Sequence, residues 1–395
     1  MARIDLYNPS EEHLALRDMV RQFAEKDVWP QAQAHDRDEK FNRALFRKAG
    51  DLGLLGITVP EKWGGAGMDA VAATIVHEEL SAADPGFCLA YLAHSMLFVN
   101  NFMVNADDAL RSRVLPKVVS GKWIAGMAMT EPHAGTDALA MKTTARRDGD
   151  DYVLNGAKMW ITNGAVSDNE LGDCFLVYAR TGTAKGKALS SFLLEKGMDG
   201  FRLGQRIKDK LGMRASPTAE LVFEDCRVPL TNRIGQEGES SLHMMRNLEI
   251  ERLTLAAMSL GIARKCIDIM NQYATERHAF GQSIRNFGQI QRYLGDSYAE
   301  YMAGRAYVYA TATAMSDLTH GGNRLDSDGV KLYCSTMGKN VADRAIQVLG
   351  GYGYVGEYHV ERLWRDAKLL EIGGGTLEAH QKNIAGDLRR VTSLR

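Results

Sequence analysis

A β-rich segment from about residue 125 to residue 234 separates two helical stretches of this chain of 395 residues. Inside it, β-branched and aromatic residues alternate with polar ones, and turn residues interrupt the runs, as strands require. On both sides, apolar residues recur at helical spacing, and long C-terminal helices joined by short loops are typical of an antiparallel bundle. The pattern predicts an α+β chain with an N-terminal α-helical domain over 1–126, a central β-sandwich or barrel domain over 127–237 and a C-terminal α-helical bundle over 238–395.

Capping residues and periodic stripes predict the individual elements. Ser10 followed by Glu11 is a good N-cap, and Pro30 is expected to end the helix that begins there. Further helices are predicted over 43–54, 71–82, 107–119, 240–279, 289–317, 326–348 and 377–390. The predicted strands are ALAMKTTARR, DYVLNGAKMWIT, DCFLVYAR, SSFLLEK and ELVFEDCRV.

Charge and cysteine usage argue against several classes of protein. A formal net charge of −1 provides no global field for a polyanion, so nucleic acid is not expected as a partner. The N-terminus lacks an apolar signal segment, and no run reaches the ~18 to 20 apolar residues of a membrane span. We therefore expect a cytoplasmic protein without a membrane role. The cysteines are interpreted as buried, reduced thiols with neither disulfides nor a metal site, because they are scattered and form no C-x-x-C pair: Cys88, Cys174, Cys226, Cys266 and Cys334.

A G-x-G-x-x-G pattern occurs near the C-terminus, at Gly351, Gly353 and Gly356, with Glu371 about 20 residues further on. This spacing is typical of a dinucleotide-binding site when the glycines follow a strand and open a helix. Here the preceding residues continue a helical stripe through Ala342 instead. We interpret the segment as a Gly-rich connection between two helices.

Six segments in order resemble the signature blocks of the acyl-CoA dehydrogenases. They are GMAMTEPHAGTDA, KMWITNGA, KLGMRASPTAELVFEDCRVP, ERHAFGQSI, QVLGGYGY and WRDAKLLEIGGGT, between Gly126 and Thr376. The resemblance implies the three-domain fold of that family, with a C-terminal four-helix bundle and FAD between the β domain and the bundle. It also implies an acyl-CoA substrate, an electron-transfer flavoprotein as electron acceptor, and at least a dimer, by family habit a homotetramer.

The same blocks imply which residues hold the flavin. In the family, the first two blocks contact the isoalloxazine, and the fourth and fifth hold the pyrophosphate and adenosine across a subunit boundary. Residues matching the cofactor positions are Met129, Thr130, Thr136, Trp160, Thr162, Arg277, Phe280, Gln282, Gln347, Gly350, Gly351, Thr376 and Glu378. One position departs: relatives similar to isovaleryl-CoA dehydrogenase tend to place Gln directly after the Phe that matches Phe287, whereas this chain has Gly288 and then Gln289.

The catalytic base is predicted from an exchange between two positions. Many straight-chain members carry the base Glu in the last block, where this chain has Gly374. The isovaleryl-CoA dehydrogenase subfamily places it on a bundle helix in a motif similar to LEIERL, which points to Glu251. Glu251 shares an apolar stripe with Leu255, whereas Glu249 is spaced to pair with Arg252. Desolvation on such a stripe would raise the basicity of a carboxylate.

The resemblance also implies how substrate binds. The Gly374 amide and a ribityl hydroxyl of FAD would hold the thioester carbonyl. The predicted substrate residues are Thr136, Glu249, Arg252, Leu89, Ala93, Gly374 and Gly375, with Lys187 a weaker candidate. Leu89 and small Ala93 would leave width for a 3-methyl branch, although Leu92 is bulkier than the Gly usual in the subfamily.

These features predict oxidation of a short or 3-methyl-branched acyl-CoA, of isovaleryl-CoA type, to the 2,3-enoyl-CoA. A longer terpenoid thioester such as citronellyl-CoA and a straight-chain acyl-CoA stay open as substrates, as does the reverse reaction, enoyl-CoA reduction. An alternative of another class is a DNA-associated member of the superfamily. It would require a basic groove, and no Lys/Arg-rich tract supports one.

Overall fold

The computed structural model describes residues 4–182, 188–315, 318 and 321–391. It contains the three predicted layers: a helical N-terminal part, a β-rich middle and a helical C-terminal part. The N-terminal helices are α1 Glu11–Phe23, α2 Trp29–Asp38, α3 Arg43–Asp51, α4 Ala70–Ala83, α5 Pro85–Leu92, α6 Asn101–Asn105 and α7 Asp108–Val119.

The expected helix end at Pro30 is wrong. A π-helical segment, Ala24–Val28, continues α1 into α2, and Pro30 lies in the first turn of α2. Proline is tolerated there because the amides of a first helical turn have no partner within that helix. The chain leaves helical geometry only at Glu39, which has φ 51°.

The apolar segment after Asp84 forms a helix that the sequence patterns do not single out. Asp84 caps α5 by accepting from the Phe87 amide, and a π-helix, Ala93–Asn100, joins α5 to α6. The length and composition of the combined helix, Pro85–Asn105, would suffice to cross a membrane, yet 78% of its apolar window is buried inside the protein. Such burial is typical of a core helix.

The β domain is built on one eight-stranded sheet. Its strands are β1 Ala125–Ala128, β2 Thr144–Asp148, β3 Asp151–Thr162, β6 Cys174–Arg180, β7 Leu189–Glu195, β8 Phe201–Arg206, β9 Thr218–Pro229 and β10 Arg233–Ile234, with β4 Ala165–Ser167 and β5 Glu170–Leu171 as a separate pair. The strand order is β10-β7-β6-β2-β3-β9-β8, with β1 parallel to β6. The predicted strand ALAMKTTARR is only half correct, because residues Ala138–Ala140 form a 3-10 turn and pairing begins at Thr144 opposite Asn155.

Strand β6 is buried on both faces. Leu176 and Tyr178 face a core cluster shared with α7 and the π-helix Ala93–Asn100. Phe175 and Val177 face a second cluster, lined by β3, β7, β8 and β9. The second cluster includes edge-to-face contact between Phe175 and Phe201, with ring centroids 5.6 Å apart. The sheet therefore curls around its own aromatic core while its other face packs on the helical domain.

The C-terminal bundle consists of α8 Ser240–Glu276, α9 Gly288–Ala314, α10 Arg324–Leu349 and α12 Leu377–Leu388. The predicted end of α9 at residue 317 extends into residues outside the described part of the chain. A further helix, α11 Val360–Leu370, and a small hairpin of β11 His278–Ala279 and β12 Gln282–Ser283 complete the domain. Residues 350–353 form a 3-10 turn between α10 and α11, which confirms the Gly-rich helix connection.

Helix α8 also crosses α4, which joins the bundle to the N-terminal domain. A Cβ on Gly261 would lie 2.2 Å from the Glu78 carbonyl oxygen, so only glycine permits this approach. Ser81 donates a 3.0 Å hydrogen bond to the Met258 carbonyl across the same contact. The crossing fixes the helix on which Glu251 lies. All five cysteines are buried and free, as expected from the sequence.

Candidate active site

Glu251 lies on α8 with its side chain turned into the protein. It is 7% exposed, and its Oε2 atom has no hydrogen-bond partner among the described residues. Burial raises the pKa of the Glu251 carboxyl to about 7, and the nearby cations of Arg252 and Lys331 oppose that rise. A carboxylate of this kind can exchange a proton with a ligand near neutral pH.

Gly374 lies directly against this carboxyl. A Cβ at Gly374 would be 3.5 Å from Glu251 Oε1 and 2.2 Å from Leu255 Cδ1, and the residue has φ 67°. No side chain can therefore occupy position 374 without displacing its neighbours. Among the hydrogen bonds of the described residues, the Gly374 amide donates to none, so it is available to a ligand beside Glu251.

The expected pairing of Glu249 with Arg252 is wrong. The Glu249 carboxylate accepts from the Gly322 and Asn323 amides at 3.3 and 2.7 Å, and Arg252 Nη1 lies 3.3 Å from Asp328 Oδ1. Spacing along one helix predicts pairs on an exposed surface. Here the loop before α10, and α10 itself, offer partners that the local sequence does not show.

Three buried polar residues were missed by the sequence analysis: Asp328 and Lys331 on α10, and His380 on α12. His380 Nδ1 lies 2.5 Å from Asp328 Oδ1, and the Lys331 ammonium donates to the Leu370 carbonyl. Asp328 and Lys331 are charged residues on a stripe of α10 that is otherwise small or apolar. That interruption was the available signal, because charges on a buried stripe are rare without a partner.

A second cluster lies where β1 and β3 meet. The Met159 amide donates to the Thr130 carbonyl at 2.9 Å, and Lys158 Nζ donates to the Met129 carbonyl at 3.0 Å. The structure therefore brings the Met129–Thr130 segment beside Trp160. The ladder between β3 and β9 is irregular between Lys158 and Ile161, and Trp160, with φ 63°, is left 60% exposed. Thr162 follows on the same strand, and Thr136 is exposed in the loop after Thr130.

A buried ion pair supports this cluster. Lys158 Nζ lies 2.9 Å from Glu131 Oε1, and Glu131 also accepts from the Thr143 amide. Burial lowers the pKa of the Lys158 ammonium to about 8, against the opposing effect of Glu131. Burial favours the neutral form of Glu131, but Lys158 and the amides outweigh it and lower the pKa to about 2. The pair ties β3 to the segment that follows β1.

Six further predicted cofactor residues lie at the end of α8 that is far from Glu251. Arg277 follows its last turn, and the β11–β12 hairpin leaves Phe280 95% exposed. Tyr273 contacts Tyr352, with centroids 6.3 Å apart, so exposed Gln347, Gly350 and Gly351 share this end with exposed Gln282. At about 1.5 Å per residue, Arg277 lies roughly 39 Å along the helix from Glu251. Within one chain, these cofactor residues and Glu251 are therefore not brought together.

Two of the predicted substrate residues lie on the helical segment that packs against α8. Leu89 is partly buried on α5, and Ala93 is buried at the start of the π-helix, where widened turns are frequent at functional sites. Asn100 of that helix donates to Asn247 of α8 at 3.1 Å, one turn before Glu251.

Thr376 caps α12 directly after the Gly373–Gly375 loop, with Glu378 exposed in its first turn. Lys187 lies outside the described residues, and Gln289 is exposed at the start of α9.

The exposed residues fit a bound flavin. The Trp160 indole offers an aromatic face, and the neighbouring Thr130 and Thr162 hydroxyls can donate hydrogen bonds to a ring that gains negative charge. Phe280 and Arg277, both exposed at the far end of α8, could cover an adenosine and pair with phosphate. These are the donor and stacking groups that FAD requires.

Comparison with known proteins matches the whole architecture. The acyl-CoA dehydrogenase N-terminal, middle and C-terminal domain families match residues 10–122, 126–226 and 242–388. The chain is 41% identical to mitochondrial isovaleryl-CoA dehydrogenase of Pongo abelii, covering 94% of this chain and 87% of that protein. It is 37% identical to a short-chain specific acyl-CoA dehydrogenase of Clostridium acetobutylicum, covering 97% and 100%.

A solved structure shows the same fold. A chain in a structure of the electron transferring flavoprotein of Acidaminococcus fermentans, described in connection with flavin-based electron bifurcation, superposes with a TM-score of 0.92. The two chains are 35% identical, over 97% of this chain and 99% of that one. Together with the three matched domains, this likeness covers nearly the entire sequence. The chain therefore belongs to the acyl-CoA dehydrogenase family, and is an FAD-dependent oxidoreductase of that family.

Proposed function

We propose that this enzyme oxidises a short or 3-methyl-branched acyl-CoA, of isovaleryl-CoA type, to the 2,3-enoyl-CoA, with Glu251 as the catalytic base. The observation that carries the proposal is the contact between Glu251 and Gly374. Glu251 is buried, has one carboxylate oxygen without a partner among the described residues, and faces Gly374, where a side chain would have to displace Leu255. The base position of straight-chain relatives thus carries no carboxyl here, and Glu251 is the acid that faces it.

The chemistry divides between two groups of this chain. A thioester carbonyl held by the free Gly374 amide would polarise the adjacent Cα–H bond, because the hydrogen bond stabilises enolate-like charge. Glu251 Oε2 would then take the α proton, while the hydride leaves the β carbon and the double bond forms between the two carbons. Bound FAD supplies the two-electron acceptor for that hydride.

Burial suits Glu251 to this task. A carboxyl with a pKa near 7 is a stronger base than one with an ordinary pKa, and about half of it is ionised at neutral pH. Arg252 and Lys331 keep the pKa from rising further. The balance of burial against two nearby cations therefore provides both basicity and a sufficient population of the carboxylate.

The preference for a short or branched acyl group is supported by Leu89 and Ala93. Both lie on the helical segment that packs against α8, and the proposal places the small Ala93 side chain beside the branch of the acyl group. The similarity to an isovaleryl-CoA dehydrogenase agrees with this preference, whereas that to a short-chain specific enzyme is compatible with a straight chain. A longer branched thioester such as citronellyl-CoA is the second candidate. Two substrates that differ by one methylene are distinguished by a hydrophobic pocket by only about 1–3 kcal/mol.

Anaerobic bleaching of the flavin tests substrate and base together. The holoenzyme is mixed with isovaleryl-, isobutyryl-, butyryl-, octanoyl- and citronellyl-CoA, and the loss of flavin absorbance is followed by stopped flow. We expect the fastest bleaching with isovaleryl-CoA and loss of bleaching in Glu251→Gln with FAD retained. Glu276→Gln, at the exposed end of the same helix, is the matched control. Bleaching of Glu251→Gln at the wild-type rate would exclude it as the base.

The proposal extends to partners. Arg277, Phe280 and Gln347 are too far from Glu251 to contact the same flavin end within one chain, which supports their contribution to the FAD of a second copy and hence a homotetramer or at least a dimer. The electron acceptor is proposed to be an electron-transfer flavoprotein. Light scattering of the holoenzyme tests the oligomeric state. We expect Arg277→Ala to lower FAD occupancy without slowing bleaching of the flavin that stays bound.

A further inference from the structure

The loop beside Glu251 is intrinsically free to move. It consists of three glycines, Gly373, Gly374 and Gly375, of which the last two have φ 67° and 103°. Glycine has the largest backbone freedom of any residue, so an ordered triple-glycine loop needs restraints from its surroundings. The Gly373 amide donates to the Leu369 carbonyl at 2.7 Å, which fixes the start of the loop. Among the described residues, the Gly374 and Gly375 amides donate no hydrogen bond.

His380 supplies the restraint at the other end. Its Nε2 atom lies 3.0 Å from the Gly375 carbonyl oxygen, and the ring fills the space in which a Gly375 Cβ would lie, at 2.9 Å. His380 and Asp328 are both fully buried. Asp328 Oδ1 contacts His380 Nδ1 on one side and Arg252 Nη1 on the other. Three helices thus hold the loop through one chain of contacts.

The contacts fix where protons must be. A peptide carbonyl only accepts hydrogen bonds, so His380 Nε2 must carry a proton toward Gly375. On the other side of the ring, Asp328 Oδ1 holds Nδ1, and Arg252 stabilises negative charge on Asp328. Each end of the imidazole is committed to one partner.

We propose that Asp328 and His380 are positioning residues that hold the Gly374 amide in place against Glu251, acting through the Gly375 carbonyl. The inference rests on the proposed role of Glu251 as base. Arg252 is adjacent to Glu251 on α8, so the contacts close a ring: Glu251 faces Gly374, Gly375 binds His380, His380 binds Asp328, and Asp328 binds Arg252. The distance between the Glu251 carboxylate and the Gly374 amide is then held constant, as proton abstraction beside a bound thioester carbonyl requires.

Two amide substitutions separate the two bonds of the imidazole. In His380→Gln, the side-chain amide reaches the place of Nε2 and keeps a donor to Gly375, whereas in His380→Asn it reaches only the place of Nδ1 and Asp328. Both variants are neutral at all pH values and differ by one methylene. Hydrogen exchange of the amides in 371–377 is measured on substrate-free holoenzyme, and anaerobic bleaching by isovaleryl-CoA on the same samples.

We expect His380→Asn to speed exchange of the loop and to slow bleaching, each by about tenfold, which corresponds to about 1.4 kcal/mol, within the range of one intramolecular hydrogen bond. FAD content, substrate affinity and exchange in the middle of α8 should be unchanged. In His380→Gln, the exchange and bleaching rates should stay within about threefold of wild type, because the Gln side chain still donates to the Gly375 carbonyl. Should His380→Asn fail to fold, Asp328→Ala replaces it and should act in the same direction through loss of ring orientation.

Wild-type exchange and bleaching in His380→Asn, or equal losses in both variants, would overturn the proposal, because position 380 would then act by bulk alone. Failure of the base assignment has a different signature. In that case Glu251→Gln would still be bleached, while the contrast between Gln and Asn at position 380 would persist in the exchange of the substrate-free loop.

Discussion

The Oε1 atom of Glu251 lies 3.5 Å from the point at which a side chain on Gly374 would begin. Two positions far apart in the sequence thus border one volume, which a carboxyl could enter from α8 or from the loop before α12. Leu255, which a Gly374 Cβ would approach to 2.2 Å, closes the space further. This proximity gives a geometric account of why the base can be exchanged between the two positions.

Substitution of Gly374 by Ala tests this volume. The new methyl would overlap Leu255 and force a left-handed conformation on a residue with a side chain, at a cost of about 1–2 kcal/mol for the backbone alone. We expect a lower melting temperature and bleaching slowed by at least about tenfold, through displacement of Glu251. Gly373→Ala is the control, because its Cβ would meet nothing closer than 3.5 Å. Similar behaviour of the two variants would contradict the steric argument.

The pH dependence of bleaching follows from the pKa of Glu251. Only the carboxylate accepts the α proton, so the rate should rise as pH increases through about 7. The charged or titratable groups facing Glu251 are Arg252 on the same helix, Lys331 on α10 and Tyr178 on β6. Lys331→Met removes a cation that lowers the Glu251 pKa, so its pH profile should move to higher pH. Lys382→Met, exposed on α12, should leave the profile in place.

The same raised pKa makes a prediction about stability. Between about pH 4.5 and 7 the folded Glu251 holds a proton that the unfolded chain has released, so its contribution to stability falls as pH rises through that window. Glu251→Gln removes this penalty, and its melting temperature should exceed that of wild type at pH 8 but not at pH 4.5. The difference corresponds to roughly 3 kcal/mol at most. A constant difference across pH would argue against a raised pKa.

Loss of the buried Lys158 charge should release the flavin. Lys158→Met leaves Glu131 buried beside the Met129 carbonyl without its cation, which typically costs about 3–5 kcal/mol. The segment that flanks Trp160 would then lose its tie to β3, and we expect FAD content per chain to fall strongly during gel filtration. Lys142→Met, exposed in the same region, is the control and should keep its flavin.

Elements with a strong local signal were predicted well. Strand β3 Asp151–Thr162 coincides with the predicted segment, and α4, α8 and α10 agree within one to three residues. Alternation and capping act over a few residues, so sequence alone reveals them. The errors fell where context decides: at Pro30, where a π-helical turn continues the helix, and at residues 138–143, which belong to no strand in the described part of the chain. Localisation and domain boundaries stay predictions.

The order of the three domains, the family and the candidates Glu251 and Gly374 can be read from the sequence, because each rests on local periodicity or on motifs. That Glu249 binds the Gly322 and Asn323 amides, and that Asp328 and His380 hold the Gly375 carbonyl, emerges only once the chain is folded. These partners lie on separate helices and loops, and their hydrogen bonds arise in the low-polarity space between packed elements, where a buried polar group must find a partner whatever its distance along the chain.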